Sequence, residues 1–224
     1  MIVDCIGCLH GARPQLEGGD LLILTGDLTE RDKGFEFLVF LLWLDKQPYR
    51  KKIFIAGNHD NILQKVPPTP EVLPDNVFYL CDSGTEFEGL KIWGSPWTAS
   101  FSGIDPKCTA FTIPVSPDQE DRLMDKWDLI PMDTDILITH SPPFGLLDGI
   151  PLDDGSLFHA GSKSLYGWLK YVQRPRLHVF SHIHEAYGQE EHFPAHNDNM
   201  MISVNCSIMN GKYKPVNKPV RIVL

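Results

Sequence analysis

Basic residues, long apolar runs and cysteine are all scarce in this chain, and each scarcity excludes something. Lys+Arg number 20 against 29 Asp+Glu, which leaves a formal charge of −9. A nucleic-acid-binding face needs clustered basic residues, so no stable nucleic-acid binding is expected. The most apolar run, "FEFLVFLLWL" at residues 35–44, is too short to span a bilayer and is flanked by charges, so no membrane crossing is expected. The five cysteines, Cys5, Cys8, Cys81, Cys108 and Cys206, are odd in number and irregular in spacing. They do not form the framework of a disulfide-stapled scaffold. A reducing compartment fits this usage, and no basic-then-apolar leader opens the sequence, so a cytoplasmic location is expected. Internal repeats and low-complexity tracts are also missing.

Hydrophobic residues at 42% and charged residues at 22% are those of an ordinary globular protein. The length of 224 residues is ample for a core, and residues 1–224 are expected to form a single domain. "MIVDCIG", "DLLILTG" and "KKIFIAGN" are short apolar runs that end in glycine and polar residues, with a helical stretch at 33–46 between the second and third. Strand, helix, strand with continuous apolar strands predicts parallel pairing in an α/β fold. A Pro-rich stretch at 66–76 reads as a surface loop, and residues 86–92 as a hairpin turning at Glu88-Gly89. "SPDQEDRLMDKWDLI" opens like a helix at Ser116-Pro117, and "SKSLYGWLKYV" like one capped by Ser162 or Ser164. The late strands "MMISVN" and "PVRIVL" have no helix after them and are expected to pair antiparallel. Residues 37–44 are apolar on every side of their helix, whereas a surface helix needs one stripe. Either both faces are buried within the fold, or the outer face of 35–44 packs on a second copy in a homo-oligomer.

Strand after strand ends in a polar cluster: Cys8 and His10, then "TGDLT" with Asp27, then "AGNHDN" with Asn58, His59 and Asp60. Later come "THSPP" with His140 and "SHIHE" with His182 and His184. Ligands of open α/β sheets bind outside the carboxyl ends of parallel strands, so these segments should converge. One Asp, one Asn, several His and one Cys are donors for two borderline divalent metals such as Mn, Fe or Zn. Asp27 has two oxygens and can bridge. Two metals about 3.5–4 Å apart can bind a phosphate, generate hydroxide and stabilise an in-line displacement.

In this order the clusters resemble the calcineurin-like metallophosphoesterases, whose pattern runs D-x-H, G-D, G-N-H-D/E, H, G-H-x-H. Here it reads C-L-H, G-D, G-N-H-D, H and S-H-I-H. "GSPWT" (94–98), "DKWDLIPMDTDILITHSPP" (125–143) and "RPRLHVFSHIHEAYG" (174–188) are similar to the metallophosphoesterase-domain-containing (MPPED) family. The resemblance implies an α/β/β/α sandwich of two mixed sheets and metal-dependent phosphodiester hydrolysis. It also implies a small phosphodiester or nucleotide substrate, such as a 2′,3′-cyclic nucleotide, with Mn favoured. Position by position, it makes Asp27 the bridging carboxylate. His10 and His184 become ligands of one metal, and Asn58, His140 and His182 ligands of the other. His59 becomes the group that assists the leaving oxygen, oriented by Asp60. Ser181 stands where the family has glycine.

Cys8 stands where the family has a metal-binding aspartate. A metal-bound thiol is deprotonated and carries the same single negative charge. Its softness favours Zn or Fe over Mn. Asp4, about 13 Å of extended chain away, is no substitute. If Cys8 is instead a small buried bystander, a nucleotide- or phosphate-binding module with one metal site is the alternative. Oxidation of a thiolate ligand would make the enzyme redox-regulated. The remaining cysteines are read as structural and His178 as a core residue. His159, His192 and His196 are read as solvated. Trp97 and Phe101 are read as packing, and Arg31 and Lys33 as surface charges.

Overall fold

The computed structural model describes residues 1–100, 108–114, 122–194 and 200–224. The Ser116-Pro117 helix start, Phe101 and His196 lie outside them. The first half of the chain runs β1 (Ile2–Ile6), β2 (Gly19–Leu24), α1 (Gly34–Asp45), β3 (Tyr49–Phe54), α2 (Asn61–Lys65), β4 (Val77–Tyr79), β5 (Ser83–Phe87), β6 (Leu90–Ser95), β7 (Thr98–Ser100) and β8 (Thr112–Pro114). The second half runs α3 (Met124–Trp127), β9 (Ile136–Thr139), β10 (Gly149–Pro151), β11 (Leu157–His159), α4 (Lys163–Tyr171), β12 (Leu177–Phe180), β13 (Gly188–Pro194), β14 (Met200–Asn205) and β15 (Val220–Val223).

Two sheets carry the architecture, in the orders β15-β1-β2-β3-β4 and β13-β14-β12-β9-β6-β5. Strands β1 to β4 pair in parallel, and so do β6, β9, β12 and β14. Alternation along the strands sorts their side chains into two cores. Val3, Cys5, Leu21, Ile23 and Ile53 face the second sheet, where Ile92, Ile136, Ile138, Val179 and Val204 meet them. Ile6, Leu22, Leu24 and Phe54 face the other way, onto Phe40, Leu41 and Leu44 of α1. A third cluster packs Trp127, Leu165 and Trp168 on the outer side of the second sheet, against Leu137 and Met201. The layers are therefore α/β/β/α, with each sheet buried on both faces, as the apolar strands predict.

Several local expectations hold. The β5–β6 hairpin turns at Glu88 and Gly89, with φ of 51° and 77°. Ser162 caps α4, its Oγ accepting from Leu165 N at 3.1 Å. The late strands hold in part. β15 pairs antiparallel with β1, but β14 is antiparallel only to β13 and runs parallel to β12. The reason is that β13 runs back along the sheet edge, so β14 re-enters between it and β12 without a helical crossover.

Of the two readings of α1, burial of both faces fails. Phe40 and Leu44 are fully buried, whereas Phe35, Leu38, Val39 and Leu42 are half or more exposed. His178 is fully buried; its Nε2 meets Thr139 Oγ1 at 2.9 Å and its Nδ1 has no partner among the described residues. Burial pushes its imidazole down to about 3.

Two outcomes follow from these layers. Phe40→Ala should lower unfolding stability by about 3–5 kcal/mol in urea titrations, while Leu42→Gln should change it by less than about 0.5 kcal/mol. His178 stays neutral when folded but titrates near 6.5 when unfolded. Its contribution is therefore complete above about pH 6.5 and is lost as pH falls toward 3. His178→Asn should flatten the acid limb of the stability–pH curve; an unchanged slope would refute this assignment.

Candidate metal centre

The loops that leave the parallel strands are tied to one another before any side chain is considered. Cys8 N donates to Gly26 O at 3.1 Å, His10 N to Asp27 O at 2.8 Å, and Ser181 N to His140 O at 3.0 Å. Cys8, His10, Asp27 and His182 have φ of 49°, 41°, 53° and 68°, in the left-handed region that L-residues rarely occupy. Each such residue costs about 1–3 kcal/mol and persists only where its surroundings over-determine it. The left-handed turn falls on His182, so Ser181 is tolerated where glycine is usual. Its hydroxyl donates to Thr25 O at 3.2 Å. Gly57 is required by close approach: a Cβ there would lie 2.2 Å from Asp27 Oδ1 and 2.6 Å from His140 Cε1.

The converging side chains face one another. Asp27 Oδ2 lies 3.6 Å from His10 Nε2 and 3.5 Å from His140 Nε2, while Asp27 Oδ1 accepts from His59 N at 3.0 Å. His140 Nε2 is 2.9 Å from Asn58 Oδ1. His140 Nδ1 donates to Thr25 O at 2.7 Å, which fixes the tautomer and turns the Nε2 lone pair toward Asp27 and Asn58. His10 and His184 bring their Nε2 atoms to 3.4 Å. Three groups of donor atoms lie within 4.8 Å of one another: Cys8, His10 and His184; His10, Asp27 and His59; Asp27, His140 and His182.

The electrostatics suit cations. Burial lowers His10 to about 4 and His182 to about 3, and it lowers His184 as well. All three imidazoles are thus neutral donors at ordinary pH, which metal binding requires. His140 runs the other way: burial opposes its protonation, but the Asp27 carboxylate outweighs this and raises it. Asp27 is also buried, yet His140, His59 and His10 hold its carboxyl well below the usual range. Burial and the Asp27 charge push the Cys8 thiol up. Nitrogen lone pairs crowded around a buried carboxylate are the donor set of a divalent metal site. The residues therefore fit divalent cations, with Asp27 and His10 shared between neighbouring donor groups.

One expected role changes. Asp60 does not reach the His59 ring. Its carboxylate accepts from Leu28 N at 3.0 Å and Gly57 N at 2.9 Å, so it binds the β2 and β3 loops together. Burial and Asp27 push it up to about 7. The group at His59 Nδ1 is Cys108 Sγ, at 3.5 Å, a residue read from sequence as structural. Tyr213 was missed altogether: its ring centroid is 4.9 Å from those of both His10 and His184. It lies in a turn near the C-terminus that carries none of the metal-ligand motifs. Trp97 packs on Phe111 and donates to Asp82, as expected of a packing residue. His159 is not merely solvated, since its Nδ1 lies 2.6 Å from Asp148 Oδ1. His192 lies on β13, 2.9 Å from Glu190. Asp4 takes two bonds from Arg221, each of 2.8 Å, and plays no part at the centre.

Comparison with known proteins agrees with this geometry. Residues 3–186 match the family model for the calcineurin-like phosphoesterases. The chain is 35% identical over 245 residues to metallophosphoesterase domain-containing protein 1 of human and of mouse, covering 98% of this chain and 70% of the relative. It is 31% identical to the UPF0046 protein T07D4.2 of Caenorhabditis elegans, over 96% of this chain and 58% of that protein. In fold it is similar to TT1561 of Thermus thermophilus, with a TM-score of 0.56 and 17% identity, over 91% of this chain and 88% of that one. The chain belongs to the calcineurin-like phosphoesterase family and is a metal-dependent phosphoester hydrolase of the metallophosphoesterase-domain-containing kind. Among the described residues no helix is long and apolar enough to cross a membrane.

Gly57→Ala tests the convergence. It should leave the protein folded but lower its affinity for Mn or Zn by at least tenfold in calorimetric titration, because the added methyl displaces Asp27 or His140. Unchanged affinity would show that the loops are not held as closely as described.

Proposed function

We propose that this protein is a dinuclear phosphodiesterase acting on small nucleotide-type diesters. The observation that carries the reading is Asp27, whose Oδ2 stands 3.6 Å from one histidine cluster and 3.5 Å from the other. Cys8, His10 and His184 would hold one divalent ion, and Asn58, His140 and His182 a second, with Asp27 between them. Bound there, the ions would supply positive charge to the phosphoryl oxygens and lower the pKa of water. The preference for diesters, and for nucleotides among them, is supported by the resemblance of residues 125–143 and 174–188 to the MPPED family. Mn fits that resemblance, and the Cys8 sulfur adds affinity for Zn or Fe.

The protein's own groups divide the remaining work. Thr25 O holds His140 in one tautomer, and Asp60 keeps the Asp27 and Asn58 loops in register. His59 has its backbone N on Asp27 and its Nδ1 toward Cys108, so Nε2 is the nitrogen that would give a proton to the leaving oxygen. General acid assistance of this kind contributes about 10²–10⁴-fold.

Two experiments test the reading. His59→Asn should lower kcat about 10²–10⁴-fold on a diester with an alkyl alcohol leaving group. It should matter far less for p-nitrophenolate, which needs no proton; equal losses on both would remove His59 from that role. Wild type and Cys8→Asp should both hydrolyse bis-p-nitrophenyl phosphate with two metals bound, the variant shifting preference from Zn toward Mn. A nearly inert wild type with one metal or none, alongside a variant that gains both metal and activity, would favour the binding-module alternative.

A further inference from the structure

One aromatic side chain stands at the metal centre with no task assigned to it so far. Centroid to centroid, the Tyr213 ring lies 4.9 Å from His10 and 4.9 Å from His184, edge-on to both, and 6.4 Å from His59. It therefore flanks the side of the centre where Cys8, His10 and His184 gather.

The turn that carries Tyr213 is firmly built. Ile208 N donates to Gly7 O at 3.0 Å, which ties the segment to the end of β1 just before Cys8. Asn210 closes the turn on itself: its Oδ1 accepts from Lys212 N at 3.0 Å and Lys214 N at 3.1 Å, and its carbonyl accepts from Tyr213 N at 2.8 Å. Asn217 Nδ2 donates back to Ser207 O at 3.0 Å. Gly211 sits against Glu185, the neighbour of His184; a Cβ there would lie 2.2 Å from Glu185 Oε1. Tyr213 itself has a φ of 54°. A bulky residue in left-handed backbone is a steric outlier and persists only where its surroundings fix it.

Packing alone does not account for this residue. Tyr213 is 55% exposed, and its edge-on contacts with the imidazoles need only a ring, which phenylalanine would supply. Tyrosine adds a hydroxyl, and among the described residues that hydroxyl has no hydrogen-bond partner. It is a neutral donor. The imidazoles and the Asp27 carboxylate facing the same space are committed to the proposed ions. The phosphoryl oxygens of a bound ester are then the anionic acceptors left for it, and an O–H donor makes a short, strong hydrogen bond to an anionic oxygen. We propose that Tyr213 is a further catalytic residue, whose hydroxyl donates to a non-bridging phosphoryl oxygen on the His10–His184 side of the centre. Charge grows on that oxygen as phosphorus is attacked, so the bond strengthens in the transition state. The proposal rests on the metal-centre reading above and adds a substrate contact made by no metal ligand.

Tyr213→Phe keeps the ring and removes the hydroxyl. In the Mn-loaded full chain it should keep the wild-type metal content and bind inorganic phosphate about tenfold more weakly in calorimetric titration. It should lower kcat about 10²–10³-fold. The loss should be equal on a diester with an alkyl leaving group and on bis-p-nitrophenyl phosphate, because the non-bridging oxygens are common to both. Unchanged phosphate affinity or an unchanged rate would overturn the proposal. So would a loss confined to the alkyl diester, which would put the hydroxyl on the leaving oxygen, or a loss of metal, which would make Tyr213 a support for the ligands. Each of these outcomes leaves the metal-centre reading intact. A wild type that binds neither Mn nor phosphate would overturn both.

Discussion

A carboxylate with almost no solvent access needs positive charge and hydrogen-bond donors around it, and the need of Asp27 organises the structure. Uncompensated, a buried charge costs several kcal/mol. Here the His59 amide donates to one oxygen, and the His140 and His10 nitrogens that approach the other are placed to share a cation with it. These partners come from three strand ends on two different sheets. Neither sheet alone assembles the centre, so the packing of Val3, Cys5 and Ile23 against Ile136, Ile138 and Val179 is also what sets the distance between the histidine clusters.

The same need accounts for features that are unfavourable locally. Four of the proposed ligands sit in left-handed backbone, and glycine at position 57 leaves no room for a side chain. Stability is given up at these turns so that short side chains can meet head-on. Backbone bonds across loops, such as Cys8 N to Gly26 O and His10 N to Asp27 O, hold the strained geometry in place. Asp60 belongs to this support. Its two backbone donors lie on the two loops that present Asp27 and Asn58, and its own charge is discouraged by burial and by Asp27.

The layered fold and the gathering of Asp27, Asn58, His140, His182 and His184 were legible because both rest on short-range rules. Continuous apolar strands that end in glycine and polar residues must lie in a buried parallel sheet, and their carboxyl ends share one side. What was not legible depends on contacts made by segments outside the metal-ligand motifs. Tyr213 reaches His10 and His184 from a turn near the C-terminus, and Cys108 reaches His59 from a segment without periodicity. Asp60 misled because adjacency to His59 in sequence suggested a pair, whereas the turn points its carboxylate back into the loops. The parallel β14 misled because a crossover can be made by an edge strand as well as by a helix.

Cys8 shows how such a site changes character without changing its plan. Its sulfur lies with His10 and His184, and it accepts from His182 N at 3.1 Å and from the Ser207 hydroxyl at 3.6 Å. Those donors favour a thiolate, but burial and Asp27 oppose one more strongly and push the thiol up. An aspartate there would start from an unperturbed pKa several units lower than that of a thiol. As a ligand in the proposed centre, the cysteine would have to lose its proton as the cation arrives, so metal capture there would be coupled to proton release and would weaken as pH falls. In that reading a hard-ligand position becomes a soft, proton-linked one, while the rest of the centre keeps the arrangement set by Asp27.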